Sequence, residues 1–125
     1  MNHEEFVKRY YEIAVRALTF SEKARREGLL ALEELADQEK VNNRDIFEYG
    51  MRLVVDGFGK ELIEKILSNI IAQEKDEQWR LLKTIQNEAV LAIQEGTNPR
   101  ILAFLLNSYT DMPLNDETYR EFGLF

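Results

Sequence analysis

The sequence of 125 residues has no cysteine, one histidine, one tryptophan and two prolines. Without cysteine, the chain has no disulfide framework, no thiol nucleophile and no thiolate metal site. The single histidine, His3, lies near the N-terminus, and the neighbouring sequence offers no partners for a metal ligand or a general base. We therefore expect a solvated histidine, no metal site and no cofactor.

Long apolar runs are also missing. The best uncharged stretch, residues 101–110, is about half as long as the roughly 20 apolar residues that a membrane-spanning helix needs. Residues 1–6 are acidic and lack the apolar run of a signal peptide. The sequence thus predicts a soluble, cytoplasmic protein that does not insert into a membrane.

Basic residues are outnumbered by acidic ones, 16 to 23, which gives a formal net charge of -7. Partners with a phosphate backbone select basic surfaces, so we expect no nucleic-acid partner. An acidic chain of this kind favours a protein partner whose surface is basic.

What the sequence does contain is helical periodicity. Over residues 4–35, apolar and small residues recur at steps of three and four and predict one long amphipathic helix. The row consists of Phe6, Tyr10, Ile13, Ala17, Phe20, Ala24 and Ala31. Gly28 continues the row; because glycine inside a helix costs about 1 kcal/mol relative to alanine, it indicates close packing or a close contact.

A second helix follows a polar break. Asn43 is its predicted N-cap, with Ile46, Phe47, Gly50, Leu53 and Val54 on its inner face. The pair Asp56-Gly57 ends it, since glycine tolerates the left-handed conformation that follows a helix C-terminus.

Residues 60–95 contain neither proline nor glycine. Either one helix of about 35 residues or two helices meeting near Asp76 fits this segment, and we favour the single helix. Gly96 ends it, and Asn98 with Pro99 predicts the cap and first position of the next helix.

A turn over residues 111–114 and a short helix over Asp116–Glu121 complete the chain. Together these elements predict one all-α domain over residues 1–125, a helical bundle of four to five helices. Two helices are long, beginning at Glu4 and Lys60, and are expected to pack antiparallel.

An internal repeat is a further hypothesis. Residues 88–95 resemble residues 27–34, which would make residues 79–110 a degenerate second copy. The alternative is that amphipathic helices resemble one another.

Motifs for catalysis are absent: the sequence has no metal-binding Glu-x-x-His, phosphate-binding glycine loop or serine elbow. Its glutamates are spread along helix faces with partners such as Glu61 and Lys65, which is typical of solvated surface pairs. Asp56 fits a helix-ending turn better than a site, and Trp79 fits a core better than a ligand platform. We expect no enzymatic activity, and a carboxylate cluster that binds a cation stays open as an alternative.

Two motifs in order carry a resemblance to a known family. The run Arg25-Arg26-Glu27-Gly28-Leu29-Leu30-Ala31-Leu32-Glu33 is followed by Phe47, by Leu53-Val54-Val55-Asp56-Gly57 and by Glu61-Leu62-Ile63. Over about residues 10–74 these motifs resemble the cytoplasmic segment of flagellar motor stator proteins of the MotA/TolQ/ExbB class.

The resemblance implies that Arg25 and Glu33 are electrostatic contacts to the rotor protein, and we group Arg26 with them. On a continuous helix, positions eight apart lie about 80° apart around the axis, which would place Arg25 and Glu33 on roughly one face with Gly28 between them. The alternative is that these are solvated surface charges.

Stator proteins of this class surround the segment with membrane helices, whereas the sequence beyond Glu74 has a water-soluble helix pattern. We therefore expect a non-enzymatic cytosolic interaction module that binds a flagellar rotor or switch protein, or a related partner, through a charged helix face. The alternative is a structural or regulatory helical protein that forms a homo-oligomer and has left the motor. A weaker third possibility is an accessory protein that binds a small ligand or ion.

Overall fold

A computed structural model describes residues 1–36, 45–111 and 114–124 of the chain. Within these ranges it contains seven α-helices, one short 3₁₀ helix and no strand. The all-α prediction is confirmed, whereas the predicted number of helices, four to five, is too low. The predicted N-cap Asn43 and part of the predicted turn at residues 111–114 lie outside the described residues.

The helices follow one another with short connections. Their bounds are α1 His3–Glu27, a 3₁₀ helix Leu29–Leu32, α2 Glu33–Ala36, α3 Phe47–Val55, α4 Lys60–Ala72, α5 Glu77–Gln94, α6 Pro99–Asn107 and α7 Asp116–Glu121. Several predicted ends are confirmed. Gly57 and Gly96 follow the ends of α3 and α5 with positive φ angles, and the Asn98 side chain caps α6 ahead of Pro99.

The first helix is shorter than predicted, because Gly28 ends it. The φ angle of Gly28 is 89°, and its N–H donates to the Ala24 carbonyl at 2.8 Å. A Cβ atom added to Gly28 would meet nothing within 4 Å. The prediction that Gly28 serves close packing inside a helix is therefore wrong: the residue supplies a backbone conformation that side chains disfavour.

The favoured single helix over residues 60–95 is also wrong. The helix α4 ends at Ala72, and α5 begins at Glu77. The side chain of Asp76 caps α5 by accepting a hydrogen bond from the Trp79 amide at 3.0 Å. The alternative of two helices meeting near Asp76 is confirmed. An aspartate cap is sufficient to restart a helix without proline or glycine.

The centre of the fold is α5, which packs against α1, α3, α4 and α6. The helices α1 and α5 run parallel: the ammonium of Met1 donates to Gln78 at 2.9 Å, and Ser21 donates to the Thr97 carbonyl at 3.4 Å. The predicted antiparallel packing of the helix from Glu4 on the segment of residues 60–95 is therefore wrong: within that segment the main partner of α1 is α5, and the two helices are parallel. The helix α4 packs mainly on α5.

Close approach of two helices does occur, at Gly50. A Cβ atom there would lie 2.6 Å from Cγ2 of Val90 and 3.2 Å from Cδ1 of Leu67. Gly50 therefore allows α3 to lie directly on α5, the role that the sequence pattern had given to Gly28.

The two segments of the suspected repeat have different structures. Residues 27–34 include the end of α1, the Gly28 turn and the 3₁₀ helix, whereas residues 88–95 lie along the end of α5. The duplication itself stays a hypothesis.

The C-terminal part is held by the side chain of Asn107. Its Oδ1 accepts from the Tyr10 hydroxyl at 2.6 Å, and its Nδ2 donates to the Tyr119 hydroxyl at 2.9 Å. Leu124, beyond α7, is buried. Among the described residues, no helix has the length and apolarity that crossing a membrane would require.

Candidate functional site

The carboxyl end of α5 brings both sequence motifs to one end of the molecule. On one side, Gln94 Nε2 donates to the Phe58 carbonyl at 2.8 Å and Glu95 pairs with Lys60, directly after the Asp56-Gly57 turn. On the other side, Arg25, Gly28 and Leu29 line a cleft of about 220 Å³ with residues 93–97. We call this region, residues 25–33, 56–60 and 94–97, the charged end.

The charged side chains of the first motif are exposed, but they do not share a helix face. Arg25 lies in the last turn of α1 and Glu33 begins α2, with the Gly28 break between them. The geometric argument that joined them on one helix is therefore wrong. Among the described residues, neither forms an ion pair, and the contact of Arg26 with Glu22 is long, at 3.9 Å. These charges are accessible to a partner.

The two arginines also have a structural role. Positive charge in the last turn of a helix is stabilised by the helix dipole, by about 0.3–1 kcal/mol each. Arg25 and Arg26 occupy that turn of α1. This contribution is small and needs no contact with another molecule, so substitution of either residue is expected to leave the fold intact.

The second motif at the charged end is structural. Asp56 is the C-cap of α3, and Gly57 follows it with a φ angle of 87°. The Phe58 amide then donates to the Leu53 carbonyl at 3.0 Å, which closes the turn. This supports the interpretation of Asp56 and Gly57 as a helix-ending turn.

Lys60 and Glu95 join the start of α4 to the end of α5. The hydrogen bond and the charge of Glu95 raise the pKa of Lys60. Both side chains are about half exposed, so the pair orients the two helix ends more than it stabilises them.

Leu30 is a residue that the sequence argument missed. Its side chain is 74% exposed, on the 3₁₀ helix between Arg25 and Glu33, whereas Leu32 two positions later is fully buried. Leu30 lies outside the apolar row predicted for α1. This position was the feature of the sequence that could have indicated its exposure. Leu30 is therefore an apolar side chain that a partner could bury, on a segment with charged residues on both sides in the sequence.

A second polar cluster lies at the start of α3. Arg16 donates to Asp45 at 2.7 Å and also binds the buried Glu48. Burial opposes the charge of Arg16, but the hydrogen bonds to Asp45 and Glu48 outweigh it and raise the pKa of Arg16. This cluster fixes α1 to α3 and has a structural role.

Trp79 lies next to this cluster, partly buried and packed against the core, with the guanidinium of Arg9 at 5.6 Å from its ring centroid. Of the residues that the structure describes, no three acidic or histidine side chains come together in a way that could hold a metal ion.

Comparison with known proteins gives one partial match. A segment of 47 residues is 51% identical to Motility protein A of Borreliella burgdorferi. The segment is 38% of this chain and 17% of that protein, so the chain spans only about a sixth of the relative's length. The chain is thus similar in part to a motility protein.

No known protein family matches the chain. No solved structure matches it either.

Proposed function

We propose that this chain is a non-enzymatic interaction module of the cytoplasm that binds a protein of the flagellar motor, a rotor or switch component, through the charged end. The observation that carries the proposal is the 51% identity over 47 residues to a motility protein. The matched segment is a small share of that protein, so the proposal is confined to binding.

The geometry of the charged end supports a binding role. Arg25, Arg26 and Glu33 are exposed, and they lie on either side in the sequence of Leu30, the most exposed large apolar residue among those described. Charges of both signs at the rim of a contact set orientation and association rate more than affinity. An apolar side chain at the centre supplies affinity through burial. This division of roles suits a transient contact that forms repeatedly.

The test is a binding experiment with charge-swapped variants. Arg25→Glu combined with Glu33→Arg keeps the net charge while reversing both rim charges. The matched control, Lys8→Glu combined with Glu12→Lys, reverses two exposed charges on α1. Lys8 lies 17 residues from Arg25, about 26 Å along the helix. Each variant is used as bait with purified rotor and switch proteins from the source organism.

We expect the wild type and the control to bind the same motor protein, and the charge-swapped variant to bind it at least about tenfold more weakly. Helix content and melting temperature should be nearly equal in all three proteins. Equal binding by all three would refute the role of these charges. Unfolding of the charge-swapped variant would show that the charges belong to the fold.

A further inference from the structure

The turn between α4 and α5 differs from the turns after α1, α3, α5 and α7. Each of those four turns contains a glycine with a positive φ angle: Gly28, Gly57, Gly96 and Gly123. Residues 73–76, all of which the structure describes, contain no glycine and no residue with a positive φ angle. Each of them can therefore adopt helical backbone angles without steric strain. We call residues 73–76 the hinge.

The sequence of the hinge also favours a helix. Gln73, Glu74 and Lys75 are of the residue types that form helices well. Residues 60–95 as a whole contain neither glycine nor proline, and apolar residues recur at helical spacing on both sides of the hinge. Nothing in the backbone chemistry of this segment requires a bend.

Side-chain contacts hold the hinge in its bent form. Asp76 accepts from the Trp79 amide at 3.0 Å, and the Arg80 guanidinium donates to the Glu74 carbonyl at 2.6 and 3.0 Å. Lys83 pairs with the Glu74 carboxylate at 3.0 Å. In a continuous helix the Glu74 carbonyl would instead accept from the amide four residues later, and the Asp76 cap would be absent. The bent and straight forms thus exchange one set of hydrogen bonds for another.

A straight hinge would separate residues 1–72 from residues 77–124. The helix α5 would leave α1, α3 and α4, which pack on it, and a single chain would expose its core to water. Two straightened copies avoid this cost, because α1, α3 and α4 of each copy can pack on α5 of the other. The contacts are those of the single chain, so the surface that covers each half is already defined by the fold.

We propose that two copies of this chain form a dimer by exchanging residues 1–72, with residues 60–94 of each copy as one straight helix. Such an exchange is a low-cost route to a two-fold symmetric dimer. The two helices, each about 52 Å long, run antiparallel and cross the two-fold axis at the hinge. Lys60 of one copy then lies beside Glu95 of the other. The proposal is independent of the proposed motor function.

The first test measures the dimer fraction after refolding, because the exchange requires that the two halves of a chain separate. The purified full chain is unfolded in urea and refolded at concentrations up to about 1 mM, and its mass is measured by sedimentation. We expect monomers at low concentration and a growing dimer fraction at high concentration. The mass of the dimer is twice that of the chain.

Two substitutions in the hinge should act in opposite directions. Asp76→Ala should give the same dimer fraction at a concentration at least about tenfold lower, because it removes a cap that only the bent hinge uses. Lys75→Gly should require a concentration at least about tenfold higher, since glycine disfavours the straight helix in both copies. The matched control is Asn98→Ala, which removes the cap of α6, a helix that is the same in monomer and dimer. It should leave the dimer fraction unchanged. Circular dichroism checks that every variant is folded.

The second test distinguishes exchange from contact between surfaces. The chain has no cysteine, so a variant with Lys60→Cys and Glu95→Cys can be linked by a short bifunctional thiol reagent at these two positions alone. In the exchanged dimer the link joins two copies and survives denaturation as a product of twice the chain mass. In a monomer, or in a dimer of intact chains, it stays within one chain. Each single-cysteine variant is a control, because equivalent positions lie about 52 Å apart in the exchanged dimer.

Wild-type and Asp76→Ala chains that both refold only to monomers would overturn the proposal. So would a dimer whose links stay within one chain, or a dimer fraction that Asn98→Ala changes as much as Asp76→Ala. The charge-swap experiment at Arg25 and Glu33 uses a different partner and different residues, so either proposal can fail alone.

Discussion

The contact between Gly50 and Val90 yields a sharp prediction about stability. Alanine at position 50 would place its Cβ 2.6 Å from Cγ2 and 3.0 Å from Cγ1 of Val90. Valine is branched at Cβ, and one χ1 rotamer is strongly preferred in a helix, so its methyl groups cannot swing away freely. The substitution Gly50→Ala must therefore push α3 away from α5 or force a strained rotamer.

Two effects of opposite sign determine the magnitude. Overpacking of a core costs about 1–3 kcal/mol. Replacing glycine by alanine inside a helix contributes about 1 kcal/mol of stabilisation. We expect a net loss of about 1 kcal/mol for Gly50→Ala, or about 4 °C in melting temperature for a chain of this length.

The background Val90→Ala separates these effects, because it removes both methyl groups. There, Gly50→Ala should increase stability by about 1 kcal/mol, since only the helix preference remains. The remaining contact, at 3.2 Å, is with the end of the Leu67 side chain, which can move. The two substitutions are therefore expected to be coupled by about 2 kcal/mol.

The assay is urea unfolding of the wild type, both single variants and the double variant. Gly59→Ala is the control: Gly59 is the N-cap of α4, where alanine is less favourable than glycine, but a Cβ atom there meets nothing within 4 Å, so its effect should be the same with valine or alanine at position 90. If Gly50→Ala has the same effect with valine or alanine at position 90, the close approach of α3 and α5 at this point is refuted.

Two further predictions concern single residues. Gly28→Ala should cost about 1–3 kcal/mol in urea unfolding, because a φ angle of 89° is strained for alanine even where space is open; a neutral result would contradict the positive φ angle. For Tyr10, burial and the neighbouring Tyr119 and Tyr11 raise the pKa above the ordinary value for tyrosine. The stability linked to its neutral form is thus complete below about pH 10 and is lost as the pH rises further. We expect Tyr10→Phe to lower the free energy of unfolding by about 0.5–1.5 kcal/mol at neutral pH, because the hydrogen bond to Asn107 is lost. At higher pH, the free energy of unfolding measured with urea should fall less in this variant than in the wild type. Parallel losses in both proteins at high pH would contradict this.

Those parts of the fold that depend on local chemistry could be predicted from the sequence. Gly57 and Gly96 end helices because glycine adopts positive φ angles, and Asn98 with Pro99 begins one because both residues suit a helix start. The spacing of apolar residues in the sequence of α3 predicted which face of that helix is buried. These signals need no knowledge of the rest of the chain.

What could not be predicted depends on tertiary structure. Gly28 and Gly50 both continue an apolar row, and the sequence does not distinguish a glycine needed for its φ angle from one needed for space. Similarly, the polar run before Trp79 is compatible with a helix until Asp76 is seen to cap one.

The candidate site shows the same division. Exposure of Arg25 and Glu33 agrees with their polar character, but the predicted shared face required a continuous helix, which Gly28 breaks. The meeting of the two motifs around Gln94 and Glu95 involves residues more than 60 positions from Arg25, and no local pattern indicates such a contact.

The dependence of α3 on α5 has a consequence for the order of folding. The N-cap position of α3 is Ile46, which has no capping side chain; Gln86 Oε1 on α5 accepts hydrogen bonds from the amides of Ile46 at 2.7 Å and Phe47 at 2.9 Å. The Phe47 amide also donates to the local Asp45 Oδ1 at 3.1 Å, so the hydrogen bond of the first turn that depends on the docking of α5 is that of the Ile46 amide. Residues 10–74, which carry the family resemblance, leave out α5, the helix on which α1, α3 and α4 pack. Transplanting them alone into another protein would transfer Arg25 and Glu33 without the helix on which α1 and α3 pack.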